Sequence, residues 1–257
     1  MSDADVLRFC CNLNRHEYPN APPLAECTLV VCLDTEGWVS DADSTALKEV
    51  GMNTFESRDM TALTSPGPWG VNILNNVYFY FARVLKHAHL RNKNFSAGDP
   101  DTNRFGLQRF LDDTEVIQFL KSTFEWPLDK DTDDGRVCPV VLLGHAVEND
   151  VEKLEKLLQF TARNIVKQID TQVIARDVGH WNHPANQIGL QRLVGDMGFA
   201  FRDPHTASND AAYTTISAIQ LIIDDQFKGA VQPCTLQSVI NDLERNSEYH
   251  LWDHGSA

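Results

Sequence analysis

The sequence has no long apolar run, no Cys-x-x-Cys pair and no Walker-type phosphate loop. Because a membrane helix needs about 18 or more apolar residues, the first absence argues against a membrane span, and no membrane is expected as a partner. The other two absences argue against a structural zinc site and a P-loop nucleotide site. What remains is a chain of 257 residues, 42% of them hydrophobic, which is enough for one substantial domain.

The cysteines and the N-terminal sequence predict the compartment. Cys10 and Cys11 are adjacent and the other four cysteines are scattered, which is typical of buried thiols rather than of a disulfide framework. Residues 1–19 lack the basic start and apolar stretch of a secretory signal. We therefore expect the protein in the cytoplasm or the nucleus.

Basic residues are also few. The chain has 22 Lys and Arg against 36 Asp and Glu, for a formal net charge of −14. Since affinity for duplex nucleic acid comes mainly from Lys and Arg on phosphates, this charge balance argues against extensive electrostatic binding of a duplex. The densest basic stretch predicts a solvated helix end, with a phosphate-contacting strip as the alternative. Its members are Lys86, His87, His89, Arg91 and Lys93.

Predicted strands and helices alternate along the chain. Apolar runs predict strands at 28–34, 46–55, 137–143 and 165–170, and helical spacing predicts helices at 114–124, at 190–197, and from Asp150 and Asp210 onward. Residues 71–90 change from strand-like to helix-like within one apolar segment. The alternation indicates an α/β fold built on a sheet.

We divide the chain into three parts. A lead-in covers residues 1–27, the main domain covers 28–228, and a C-terminal helix or tail covers 229–257. The main domain contains an insertion around residues 56–136.

Acidic residues occur at the ends of the predicted elements. Asp34 and Glu36 follow the first strand, and residues i and i+2 of an extended chain point to the same side. Asp150 and Asp210 open helices, where a carboxylate can also be a simple cap, and His205 lies five residues before Asp210. A fold that gathers these ends needs a counter-charge, and oxygen ligands favour Mg²⁺ or Mn²⁺. Taken singly, each residue has an alternative explanation. Asp34 and Glu36 could be acids at a solvated strand end, Asp150 and Asp210 could be helix caps, and His205 could be an ordinary surface histidine.

In this order, the acidic motifs resemble those of one enzyme family. The chain is similar to the DEDDh branch of the DnaQ-like 3′-5′ exonucleases over residues 28–224, and within that branch to fungal members. The motif segments are LDTE, GHAVENDVEKL and PHTASNDAAYT, with support from LKEVGM, IDTQVIAR and GLQRLVGDMGF. The fungal likeness is carried by HLRNKNF, RFGLQRFL and NDAAYT.

The resemblance implies an RNase H-like α/β fold with a mixed five-stranded sheet flanked by helices. It also implies two ions, Mg²⁺ or Mn²⁺, with Asp34 bridging both. Glu36 and Asp210 would complete the shell of one ion, and Asp150 would hold the other. His205 would deprotonate the attacking water.

The implied substrate is the 3′ end of single-stranded nucleic acid, with RNA favoured over DNA, and the fungal likeness suggests a protein partner in RNA metabolism or silencing. Many relatives continue the first motif with Thr-Thr-Gly, whereas this chain has Gly37 and Trp38 after Glu36. Trp38 could stack on a base or pack internally. The candidate substrate-binding residues are Gly37, Trp38, His145 and Asn149.

Two other functions are compatible with the sequence. One is a non-catalytic module that keeps the fold for binding RNA or protein, although such a module has no need for clustered acids. The other is a phosphodiesterase for short oligonucleotides, which the acidic composition fits better than it fits binding of long polymers. The oligomeric state is left open.

Overall fold

The computed structural model describes residues 1–39, 45–91, 98–129, 131–132, 135–183 and 185–247. Within these residues, a mixed sheet of six strands forms the centre of the molecule, in the order β4-β3-β2-β1-β5-β6. The β1–β2 and β2–β3 pairs are antiparallel, and the remaining neighbours are parallel. The strands are β1 Leu29–Val39, β2 Thr45–Glu56, β3 Tyr78–Val84, β4 Gln108–Leu111, β5 Val140–Gly144 and β6 Ile165–Asp170.

Helices cover both faces of this sheet because the central strand alternates its apolar side chains between two cores. Val30 and Cys32 of β1 belong to one core, and Val31 and Leu33 belong to the other. Helices α1, α5, α6, α7 and α8 contribute to the first core, and α3 and α4 to the second. The helices are α1 Asp3–Cys10, α2 Val71–Leu74, α3 Asp113–Phe124, α4 Glu148–Leu158, α5 Thr171–Asp177, α6 Leu190–Asp196, α7 Ala207–Ile222 and α8 Leu236–Ser247.

The predicted α/β fold, a mixed sheet flanked by helices, is confirmed, and the sheet has one strand more than expected. The additional strand is β4, which comes from the insertion and pairs with β3. It is short and largely accessible, so its sequence carries no buried apolar run. The ambiguous segment 71–90 divides into α2, β3 and a short 3₁₀ turn at Leu85–His87.

Helix α7 touches the sheet at a glycine. Gly51 of β2 pairs with Asp34 of β1, and a Cβ atom on Gly51 would lie 2.2 Å from the carbonyl carbon of Ala207. Only glycine therefore allows the first turn of α7 to approach this closely. The approach brings Asp210, which lies in that turn, over the strand that carries Asp34.

The terminal helices pack against the main domain. Leu7 of α1 and Ile240 of α8 are fully buried in the same core as α7. The division into lead-in, domain and tail stays a prediction, and residues 248–257 lie outside the described part of the chain. In that described part, every helix is too short or too polar to cross a bilayer.

Candidate metal centre

The fold brings the predicted acidic residues to one end of the sheet. Asp34 and Glu36 lie in β1, and Asp150 and Asp210 lie in the first turns of α4 and α7. Potential ligand atoms of Glu36, Asp210 and His205 all lie within 4.8 Å of one another. Residues distant in the sequence thus form one cluster.

Asp150 is tied to the strand that carries the other two acids. Its Oδ1 accepts hydrogen bonds from the backbone N–H of Thr35, at 3.0 Å, and from the Thr35 hydroxyl, at 2.5 Å. Lys153, one turn further along α4, places its Nζ 3.5 Å from the same oxygen and donates to the Thr35 carbonyl at 2.8 Å. These contacts fix the start of α4 next to the end of β1. Lys153 therefore reaches from α4 into the cluster.

Two carboxylate oxygens of the cluster have unused acceptor capacity. Asp34 Oδ2 and Asp210 Oδ1 are buried, and neither has a hydrogen-bond partner among the described residues. A buried carboxylate oxygen without a donor is costly unless a cation takes that place. The donor set consists mainly of carboxylate oxygens, which suits Mg²⁺ or Mn²⁺. The residues present therefore fit a hard divalent cation.

Burial and mutual repulsion raise the pKa values of these acids. Burial raises the pKa of Asp34 well above its usual range, and the charges of Asp150, Asp210 and Glu36 add to the rise. Burial likewise raises the pKa of Glu36 to about 8 and that of Asp210 to about 7, in both cases helped by the charge of Glu49. The pKa of Asp150 is raised by burial against the opposing effects of Lys153 and Thr35. Four such groups ionise together only with added positive charge.

We expect the metal-free protein to lose stability as the pH rises from about 4 to about 8. A carboxyl whose pKa is higher in the folded state binds more protons when folded, so raising the pH through that window favours unfolding. For Glu36 and Asp210, whose ordinary pKa values are 4.5 and 3.8, the loss should be on the order of 4 kcal/mol for each group over the whole window. Urea unfolding in EDTA at about pH 5 and about pH 8 measures it.

Mn²⁺ should reverse this trend, because it binds the ionised acids and stabilises the folded state more at the higher pH. A Glu36→Gln, Asp210→Asn double variant is the control and should show a smaller loss. A metal-free wild type that is equally stable at both pH values would contradict the pKa shifts.

A buried Lys–Glu pair beside the cluster was not selected from the sequence. Glu36 pairs with Glu49 and Gly37 with Leu47, which leaves Lys48 as the extra residue of a β-bulge. Bulges re-aim side chains next to sites, and here the Lys48 Nζ lies 3.3 Å from Glu49 Oε1. Glu49 Oε2 also accepts from the backbone N–H of Ala207, at the start of α7. The available signal was the adjacent pair of charges inside an otherwise apolar strand.

We expect Glu49→Ala to destabilise the protein by about 3–5 kcal/mol, because it removes the carboxylate that pairs with the buried Lys48 ammonium. Lys48 is 3% exposed, so water does not replace the lost carboxylate. The double variant Lys48→Met, Glu49→Leu should recover most of the loss, as hydrophobic replacements of buried ion pairs often do. Urea unfolding compares the two. A single variant as stable as the parent would show that the pair is dispensable.

His205 lies at the mouth of the cluster. Its side chain is 48% exposed, and its Nδ1 lies 4.0 Å from Glu36 Oε1. Its backbone N–H donates to Asp210 Oδ2 at 2.9 Å. The imidazole is thus free to contact solvent and substrate while its backbone is held by one of the candidate ligands.

The four candidate substrate-binding residues have different surroundings. Gly37 and the partly exposed Trp38 continue β1 directly beyond Glu36, and Asn149 is exposed beside Asp150. His145 is partly buried, with its Nδ1 2.6 Å from the Thr171 hydroxyl, and burial lowers its pKa to about 4. The substrate-binding roles of all four stay predictions.

The basic stretch lies in and around the 3₁₀ turn after β3, where its charges are partly neutralised. Lys86 forms an ion pair with Asp113, and Arg91 contacts Asp99 and Asp101. His87 Nδ1 lies 2.8 Å from the Leu47 carbonyl oxygen. Lys93 lies outside the described residues.

Comparisons with known proteins give a family match. The family model described as "DEDDh_C: DNA polymerase III subunit epsilon-like, C-terminal domain" matches residues 29–221. A similar curated protein is the uncharacterized protein YDR514C of Saccharomyces cerevisiae, 23% identical over 212 residues. That alignment covers 76% of this chain and 41% of the relative, so the chain spans less than half of the relative's length.

Several solved structures are also similar at low identity. An exonuclease I structure aligns with 85% of this chain and 44% of its own, at 10% identity and a TM-score of 0.45. The zinc-ion-bound form of the E. coli ExoI–ssDNA complex aligns with 84% of this chain and 42% of its own, at 12% identity and a TM-score of 0.46. The nuclease domain of 3′hExo bound to rAMP aligns with 76% of this chain and 91% of its own, at 13% identity and a TM-score of 0.46.

Proposed function

Because the chain belongs to the DEDDh family of DNA polymerase III epsilon-like proteins, we propose that it is a metal-dependent 3′-5′ exonuclease. Its substrate would be the 3′ end of single-stranded nucleic acid, and its cofactors two Mg²⁺ or Mn²⁺ ions. The observation that carries the proposal is the convergence of buried carboxylates with unused acceptor oxygens beside an accessible histidine. A non-catalytic binding module would gain nothing from this costly arrangement.

Each acidic residue has a role consistent with its position. Asp34, which lies between the other acids, would hold both ions. Glu36 and Asp210 would hold one of them with His205 nearby, and Asp150 would hold the other. When bound, the ions would supply a hydroxide nucleophile near neutral pH and stabilise the charge on the leaving 3′ oxygen.

His205 would act as the general base. Its imidazole is exposed on the side of the cluster formed by Glu36 and Asp210, so it can accept a proton from a water held there. The backbone hydrogen bond to Asp210 limits how far this residue can move away. The proton would then pass to solvent.

The charge distribution favours a strand end over a long polymer. The net charge is −14, and Lys86 and Arg91 of the most basic stretch are paired with carboxylates. These two side chains are therefore less available to track a phosphate backbone. The preference for RNA over DNA is supported only by the likeness to fungal members, and a protein partner in RNA metabolism or silencing has the same support.

The free cysteines, Cys10 and Cys32 among them, suit the cytoplasm or the nucleus.

Digestion of labelled oligonucleotides tests the proposal. Single-stranded RNA and DNA of one sequence, labelled at the 5′ end, would be incubated with Mn²⁺, with Mg²⁺ and with EDTA. We expect a ladder that shortens from the 3′ end, no cleavage in EDTA, and faster digestion of RNA. A 3′-phosphate should slow the reaction, because an exonuclease of this kind must bind the terminal nucleotide. A ladder that starts at internal sites, or a reaction that continues in EDTA, would reject it.

The acidic composition also favours a second candidate, a phosphodiesterase for short oligonucleotides. Adding a dinucleotide to the same assay separates the two. A dinucleotide cleaved much faster than a long strand would favour the short-substrate enzyme. Equal or faster cleavage of the long strand would favour the exonuclease.

A further inference from the structure

We propose that Arg104 and Asn209 are positioning residues that hold the His205 loop against the metal centre. The segment that carries Arg104 belongs to the insertion between the first two motifs. The expected effect on the rate of cleavage rests on the proposed function, whereas the expected effect on the conformation of the loop does not.

The loop before α7 has a strained backbone. Asp203 and His205 both have positive φ angles, of 48° and 59°, and they flank Pro204. A residue other than glycine is unfavourable in this region of φ and persists there only where the surroundings enforce it. The loop therefore needs contacts that maintain its conformation.

Arg104 supplies one such contact through its side chain. Its Nε lies 2.6 Å from Asp203 Oδ2, and its terminal nitrogen lies 3.4 Å from Glu244 Oε2 in α8. The side chain is 29% exposed, so the ion pairs are partly shielded from water. Glu244 also contacts Arg202 at 2.7 Å, which joins the start of this loop to α8 a second time.

Asn209 supplies the second contact from inside α7. This side chain is fully buried, and its Oδ1 accepts from the backbone N–H of Arg104 at 2.9 Å. Its Nδ2 donates to the Asp203 carbonyl at 3.0 Å. The residue next to Asp210 thus binds both the insertion and the loop.

Neighbouring residues of the insertion complete the contact. A Cβ atom on Gly98 would lie 1.7 Å from the carbonyl oxygen of His205, so the insertion backbone lies directly on the loop. The Thr206 hydroxyl donates to the Asp99 carbonyl at 3.3 Å, and the Ser208 hydroxyl bonds to the Asn103 side chain. These contacts are confined to the region between the strained loop and the start of α7.

The two sequence segments that carried the fungal likeness meet here. RFGLQRFL begins at Arg104, and NDAAYT begins at Asn209. Besides the Arg104–Asn209 hydrogen bond, the rings of Phe105 and Tyr213 pack edge to face with centroids 5.7 Å apart. The two segments therefore form one structural unit behind His205.

The test is Arg104→Ala, measured in two ways. Hydrogen exchange of peptides covering 203–207 should become faster, because the amide of His205 loses protection when the loop relaxes. The kcat on a single-stranded oligonucleotide should fall about 10- to 100-fold with KM nearly unchanged, since misplacing a catalytic group affects the chemical step. Arg104→Lys, which keeps the charge, should restore part of both. Arg192→Ala, which removes an exposed ion pair in α6, is the matched control and should change neither.

A double-variant cycle separates positioning of His205 from a general structural effect. If Arg104 acts through His205, Arg104→Ala should not lower the residual rate of His205→Ala any further. An equal loss in both backgrounds, or unchanged exchange in the Arg104→Ala protein, would overturn the proposal. If Arg104→Ala does not fold, Asp203→Asn weakens the same ion pair and takes its place in every arm. Hydrogen exchange tests whether Arg104 holds the loop even if the parent protein digests no oligonucleotide. A parent protein without activity would reject the exonuclease assignment and leave the result on the loop unaffected.

Discussion

Asp34→Asn is expected to lower the rate of phosphodiester hydrolysis about 10³-fold or more while the protein stays folded. Asp34 is the acid whose charge interacts with Asp150, Asp210 and Glu36 alike. Removing that charge should weaken the binding of both ions, and each ion is worth several kcal/mol of transition-state stabilisation. Single-turnover digestion of a labelled oligonucleotide in Mn²⁺ measures the loss.

The same substitution should leave the metal-free protein at least as stable as the parent. A neutral amide avoids the burial cost and the repulsion that raise the pKa of Asp34, and it is close in size to the carboxyl group. Glu155→Gln is the matched control, because it removes an exposed acid from α4 and should change neither rate nor stability. An Asp34→Asn protein that digests substrate within tenfold of the parent rate would show that Asp34 does not bind an essential ion.

His205→Ala is expected to lower the rate about 10²- to 10⁴-fold, the range typical of removing a general base. Alanine keeps the backbone N–H that donates to Asp210. The folded structure and Asp210 should therefore stay in place. The loss should appear in kcat, measured under saturating Mn²⁺.

Mn²⁺ affinity distinguishes a base from a ligand at this position. His205 lies close enough to Glu36 and Asp210 to bind an ion directly. If it is the base, the variant binds Mn²⁺ as tightly as the parent, and if it is a ligand, the affinity falls together with the rate. His16→Ala is the control, because it removes an exposed imidazole that is distant in the sequence from the candidate ligands. A His205→Ala protein that digests at the parent rate would contradict both roles.

Much of the candidate site could be predicted because its residues occupy the ends of recognisable elements. Asp34 and Glu36 were expected just after a strand and lie inside β1, at a spacing that turns both side chains one way. Asp150 and Asp210 were placed at helix starts, with capping as the alternative. Neither carboxylate caps its own helix, because Asp150 accepts from Thr35 and Asp210 accepts from His205.

The parts that were missed depend on contacts between distant segments. The Lys48–Glu49 pair becomes significant only because a bulge opposite Glu36 turns it toward α7. Arg104 contacts Asp203, which lies 99 residues away, and no local periodicity encodes that contact. Strand β4 was missed because a short, accessible edge strand has no apolar alternation to detect.

The most direct test of the account is a crystal of the protein soaked in Mn²⁺, with the ions located by their anomalous scattering. We predict two ions about 4 Å apart, with Asp34 in contact with both. Glu36, Asp150 and Asp210 should be among the other ligands. Crystals of Asp34→Asn under the same conditions should lose at least one of them. Fully soaked parent crystals in which these four carboxylates bind no ion would contradict the metal centre and, with it, the proposed nuclease.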